Sequence, residues 1–153
     1  MSTDTTPCRY VDGVRVPLSP AELAAFDAER APRPPTAAQL RAAAADARWR
    51  RETGGITVSG ISVHTDDRSK MMIMGARIQA VADPGFVTQW KGADGQFIAL
   101  DAATITALSA AVLAHVDACF AREGEVLAAI DAGTVTTLAA IEQAFADVTA
   151  PWG

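Results

Sequence analysis

Polar and apolar positions change their period several times along the chain, and each change marks an element. Residues 9–18, Arg-Tyr-Val-Asp-Gly-Val-Arg-Val-Pro-Leu, hold two short β-prone runs around Asp12-Gly13, a pair that favours a type I′ hairpin turn. A lone ribbon of this kind is marginal in water and needs a surface to lie on. Ser19-Pro20-Ala21-Glu22 then opens a helix, with Ser19 as N-cap, Pro20 in the first helical position and Glu22 as the reciprocal acid of a capping box. The helix is expected to run to about Arg30. Ala31-Pro32-Arg33-Pro34-Pro35 ends it and continues as stiff, extended chain. That stretch is the predicted boundary, with residues 1–35 as an N-terminal arm and 36–153 as a single domain. The first six residues are polar and expected to be unstructured.

Thr36-Ala37-Ala38-Gln39 is a second capping box and opens an Ala-rich helix over 37–52. Its weak stripe is Leu40, Ala44, Ala47 and Arg51, with Trp49 as the large anchor, and Gly54-Gly55 ends it. Residues 56–64 alternate, which predicts a hairpin turned at Ser59-Gly60 with Ile56, Val58, Ile61 and Val63 on its buried face. A helix over 68–82 follows, capped by Thr65 or Asp67, with Met71, Met74, Ile78 and Val81 at core spacing and Asp83-Pro84-Gly85 as its stop. Strands over 86–91 and 96–100 are joined by Gly92-Ala93-Asp94-Gly95, and Trp90 and Phe97 are expected close together across the pair. Asp101 caps a long helix over 102–122 whose stripe is Ile105, Leu108, Val112, Val116, Cys119 and Phe120. Gly124 is expected to kink it before helix resumes to Ala132. A last helix over 136–148 carries Leu138, Ile141, Phe145 and Val148 on one side. Strands come as local antiparallel pairs among helices. The predicted class is therefore α+β, mostly helical, with a packed C-terminal helical region and an N-terminal hairpin-helix arm.

The chain has 153 residues, half of them hydrophobic, enough for a core that needs neither metal nor disulfide. Its net charge of −5 is uneven: residues 1–53 carry eight Arg against seven acids, and residues 101–153 carry one Arg against seven acids. That acidic end argues against a nucleic-acid partner, because phosphate binding needs Lys and Arg, and it suits a basic one. The N-terminus has neither the basic start nor the apolar run of a secretory leader. No window is expected to qualify as a membrane span, which places the protein in a cytosol or in a virion. Cys8 and Cys119 lie far apart and read as reduced thiols.

Candidate chemistry is sparse. His115 and Cys119, one helical turn apart, could share a metal ion, but a zinc site needs about four ligands and the spacing suggests no others. Ordinary packing is the preferred reading. His64-Thr65-Asp66-Asp67, with Ser69 nearby, could form a polar catalytic or cation-binding cluster, but a turn and cap for the following helix is the preferred reading. Met71, Met72 and Met74 read first as core and second as an adaptable binding surface. Arg48, Arg50 and Arg51 around Trp49 read as a solvated helix face before a grip on nucleic acid or an acidic partner. Nucleophile elbows, phosphate loops and nucleotide fingerprints are not found. No catalytic, cofactor or metal residue is therefore predicted. The favoured binding residues are those of the N-terminal ribbon, Tyr10, Val11, Val14, Val16 and Leu18, which would add strands to a neighbour.

Four blocks in order carry a family resemblance: Trp49-Arg50-Arg51-Glu52, Gly55 through Ser69, Trp90 through Phe97, and His115-Val116-Asp117-Ala118-Cys119-Phe120. Over residues 48–132 the chain resembles the family called domain of unknown function 4376. Tyr10 through Glu22 is similar, over a short stretch, to the openings of small phage tail and assembly proteins. The resemblance implies a phage or prophage tail setting and brings no catalytic residues with it. The expectation is a tail-associated structural or adaptor protein, in the virion tail or in host cytoplasm during assembly. Its partners would be other tail or fibre proteins, or further copies of itself, with no nucleic acid and no membrane. A tail-fibre assembly chaperone is the alternative, and a small enzyme built on Thr65-Asp66-Asp67 is a third reading.

Overall fold

The structure is a computed structural model and describes residues 7–31, 33–92 and 95–149. The expected unstructured start, Pro32 of the linker, and Ala93-Asp94 of the hairpin loop lie outside the described residues. The chain divides into two compact units, 1–34 and 35–153.

In the smaller unit, β1 (Cys8–Val11) pairs antiparallel with β2 (Val14–Pro17). Asp12 and Gly13 both take positive φ, 51° and 80°, as a type I′ turn requires. Helix α1 (Pro20–Arg30) begins at the capping box: Ser19 Oγ accepts from the Glu22 amide while Glu22 accepts from the Ser19 amide. Arg9 of the ribbon pairs with Glu22. Helix α1 buries no residue.

The larger unit runs α2 (Ala37–Thr53), β3 (Ile56–Val58), β4 (Ile61–Val63), α3 (Asp67–Ala82), β5 (Val87–Lys91), β6 (Phe97–Asp101), α4 (Ala102–Asp131) and α5 (Leu138–Ala144). Strands pair only within their own hairpins, so the described sheets are three antiparallel pairs. The α+β, mostly helical class holds. Helix α4 organises everything else. Its first half, from Ala102 to Val112, packs with Val63, Ile73, Ala80 and Leu100. Its second half, from Cys119 to Ile130, packs with Leu40, Ala44 and Ala47 of α2 and with Ile141, Phe145 and Val148. Two apolar clusters thus share one helix. By length and composition α4 is also apolar enough to cross a membrane, against expectation. In this fold both clusters take up its buried stripe.

Several expectations need correction. Gly124 does not interrupt α4, which is continuous for 30 residues. One helical glycine costs about 1 kcal/mol, and burial of Val126 and Ile130 beyond it offsets that. The last helix is shorter than expected, ending at Ala144, and Leu138 is exposed. Trp49 is exposed rather than an anchor, with the Arg48 and Lys70 cations near its ring. Trp90 and Phe97 do not face each other: the register pairs Trp90 with Ile98 and Lys91 with Phe97. Strand alternation then turns Trp90 inward and leaves Phe97 outward, beneath the Lys91 ammonium. The largest correction concerns α3. Its core-facing residues are Ile73 and Ala80, while Met71, Met74, Ile78 and Val81 face solvent.

One turn depends on glycine. Gly55 has φ +87°, and a Cβ there would stand 2.9 Å from the Val63 carbonyl oxygen. Gly55→Ala should therefore cost more than about 1 kcal/mol, the usual scale for alanine forced to positive φ. Gly124→Ala, in open space within a helix, should gain up to about 1 kcal/mol. Urea unfolding of both variants checks this; a neutral Gly55→Ala would contradict the packing described.

Candidate functional site

Between the two clusters lies a polar layer, reached along α4 at His115, which stands between Val112 of one cluster and Cys119 of the other. Its other half is the last turn of α2, whose carbonyls have no partner within their own helix. Side chains from elsewhere supply the donors. The His115 Nε2 lies 3.0 Å from the Arg51 carbonyl oxygen, which can only accept, so the proton sits on Nε2. Thr65, fully buried, donates its hydroxyl to the Glu52 carbonyl and accepts from the Gly55 amide at 2.9 Å.

Glu52 is the buried acid of this layer, 4% exposed. It pairs with Arg48 on its own helix and takes a 2.6 Å bond from Lys70 Nζ on α3. Arg48 reaches Glu123 of α4 at 2.9 Å and lies over the Phe120 ring. Burial alone would lower the Lys70 pKa, but hydrogen bonds and charge from Glu52 and Asp67 outweigh it and hold the ammonium above its ordinary value. Farther along α4, buried Arg122 donates to the Ala144 carbonyl at 2.7 Å, where α5 ends. Of the arginines expected to be a solvated face, Arg48 is instead drawn into the layer as described, whereas Arg50 stays exposed in a surface pair with Glu142.

The Thr65-Asp66-Asp67 cluster has structural tasks. Thr65 staples α2 to the turn before α3. Asp66, rather than Thr65 or Asp67, is the N-cap, accepting from the Ser69 amide and hydroxyl. Those bonds hold the Asp66 carboxyl below its ordinary range, the opposite of what a general acid needs. Asp67 is exposed and pairs with Lys70. His115 Nε2 lies 3.8 Å from the Cys119 sulfur, and no third ligand joins them among the described residues. Burial pushes the Cys119 thiol up. Both cysteines are free thiols.

An open cleft of about 530 Å³ borders the polar layer, lined by Arg51, Gly54, Gly55, Thr57, Ser62, His64 and His115, with apolar Ile56 and Val63. It brings together both histidines of the chain, which sequence reasoning had treated separately. A different surface lies on α3. Its outer face, Met71 with Met72 and Gly75, borders an apolar groove of about 330 Å³ floored by Ala76, Phe86 and Trp90. In the smaller unit, Tyr10, Val11 and Val14 are exposed, whereas Val16 and Leu18 are half-buried.

The family model described as a domain of unknown function, DUF4376, matches residues 35–150. The chain belongs to this family. No curated protein and no solved structure matches the chain. The DUF4376 match begins where the larger unit begins, and it takes in the polar layer, the cleft and the α3 face together.

Two outcomes test the DUF4376 layer. Glu52→Gln should destabilise the fold by about 3 kcal/mol, because it weakens a buried acid that two cations require. Glu142→Gln, in an exposed pair, should change it by less than about 1 kcal/mol. Equal losses in urea unfolding would refute the distinction. The second outcome concerns acid. Asp66 and the Asp101 cap, which accepts from the Thr104 amide at 2.8 Å, both have carboxyls lowered by hydrogen bonds to the residues they cap. Their stabilisation is whole above the ordinary value of 3.8 and is lost as pH falls through the lowered folded values. Asparagine still caps but cannot ionise. The Asp66→Asn, Asp101→Asn double variant should therefore lose stability less steeply than wild type on acidification; an unchanged slope would remove these caps from the account.

Proposed function

We propose that this chain is a protein-binding component of a phage or prophage tail, a structural or adaptor part that acts through exposed apolar surface rather than through a reaction centre. The observation that carries the reading is the outer face of α3. Met71, Met74, Ile78 and Val81 are 63%, 59%, 62% and 68% exposed, and Met72 is 57% exposed. Ile73 and Ala80 fill the core from the opposite side. A helix apolar on both sides is ordinarily covered on both, and an exposed apolar patch of this kind marks an interaction surface. Methionine suits such a face because its unbranched side chain repacks against different partners.

The ribbon supports the same reading from the smaller unit. Tyr10 and Val14 are 71% and 63% exposed on a hairpin whose companion helix buries nothing. A neighbouring subunit that took the ribbon as an added strand would cover them. The tail setting is the one implied by the sequence blocks at 48–132.

Particles assembled with tagged wild-type chain, and with the Met71→Lys, Ile78→Lys double variant, provide the test. The wild-type chain should remain with purified particles by mass spectrometry, and the variant should be lost from them with its melting temperature unchanged. A wild-type chain missing from particles that still raises the yield of soluble fibre on co-expression would replace the adaptor reading with assembly chaperone. Failure of both would refute the tail reading.

A further inference from the structure

The polar cleft at the end of α2 contains a cation that no ion pair offsets among the described residues. Arg41 pairs with Asp131, Arg48 with Glu52 and Glu123, and Arg50 with Glu142. Arg51, one residue on, has no ion pair among the described residues, which is what sets it apart, since its Nε, like that of Arg48, is buried with no hydrogen-bond acceptor. Leaving a guanidinium N–H unsatisfied away from water costs about 1–3 kcal/mol. The surroundings fit an anion. Arg51, His64 and His115 line the cleft together with Thr57 and Ser62, which are partners across the hairpin. No acidic side chain lines it among the described residues. This holds in a unit where residues 35–153 carry nine Lys and Arg against thirteen Asp and Glu.

The far end of the cleft has a different character. A groove of about 490 Å³ shares Ile56, Thr57, His115 and Thr149 with it and continues past Val58, Ala111 and Ala114. The two alanines of α4 leave space beside an apolar wall. A ligand filling both parts needs one anionic head and an aliphatic body. A carboxylate matches better than a phosphate, because a single guanidinium forks onto one planar carboxylate. A doubly charged phosphate would find one fixed countercharge in a net-negative unit.

We propose that this cleft binds the carboxylate of an amphipathic acid, with Arg51 holding the head and Val58, Ala111 and Ala114 lining the path of the tail. The head is either a free aliphatic acid or the C-terminal carboxylate of a peptide ending in an aliphatic residue. The site stands apart from the α3 face, so loss of particle association and loss of acid binding are separable results.

Titration of the full chain followed by amide NMR tests it, with octanoate, octanol, and a blocked leucine-ending tetrapeptide as free acid and as amide. Octanoate or the peptide acid should give saturable shifts at Gly55, Thr57, His64 and His115, while octanol and the peptide amide should not. Tighter peptide binding assigns the head to a protein C-terminus, and tighter octanoate binding to a free acid; either supports the site. Arg51→Gln should weaken binding by about tenfold or more, the loss of one charge-assisted contact. Ala114→Leu, which fills the apolar end and keeps the charge, should weaken it comparably. The proposal is overturned if neither acid saturates at millimolar concentration, if octanol binds as well as octanoate, or if folded Arg51→Gln binds like wild type. Should Arg51→Gln fail to fold, Ala114→Leu with the acid and alcohol pair decides.

Discussion

The carboxylate of Glu52 is the charge on which the larger unit closes. One helix, α4, must serve two separate apolar clusters, and apolar contacts alone would tolerate sliding between its halves. A buried acid does not tolerate it. Separating Glu52 from its cations would cost several kcal/mol, and those cations come from α2 and α3, with Arg48 extending the network to Glu123 on α4. The backbone of the same residue receives Thr65 from the far end of the β3–β4 hairpin. Position 52 thereby fixes α2, α3, α4 and the hairpin against one another.

The surface follows from that closure. Because α2 ends inside the polar layer, the chain must turn at once, and Gly55 makes the turn at a positive φ against the Val63 carbonyl. The hairpin then stands beside α4, and the cleft opens between them with Arg51 at its edge. Lys70, drawn in by Glu52, fixes the rotation of α3 about its axis. With Ile73 and Ala80 turned to the core, the Met71, Ile78 and Val81 side is necessarily outermost. An inward tie and an outward apolar face are two consequences of one orientation.

Much of this was legible in the sequence where the physics is local. Ser19, Thr36 and Asp101 act on amides three residues away, so their capping roles show in spacing alone. Asp12-Gly13 sets its own turn, and the four hairpin residues Ile56, Val58, Ile61 and Val63 alternate as one face should. What stayed hidden required tertiary information. Helix α3 carries apolar residues on two sides, Ile73 and Ala80 on one and Met71, Met74, Ile78 and Val81 on the other, so its period alone does not say which is buried. The register that parts Phe97 from Trp90 is set at the hairpin loop, one position from the alternative. Glu52 and Thr65 bear no mark of burial in the sequence; a Glu among three arginines reads as surface. The cleft was missed because His64 and His115 are far apart in sequence and meet only after α4 is docked.

Native-state hydrogen exchange tests the central claim most directly. If Glu52 couples the two clusters, core amides around Ile73 and Ile105 should share one opening free energy with those around Ala44 and Ile130. In Glu52→Gln the two groups should separate, the first opening before the second. Two distinct opening energies in the wild-type protein, or one shared energy that survives the substitution, would contradict the account.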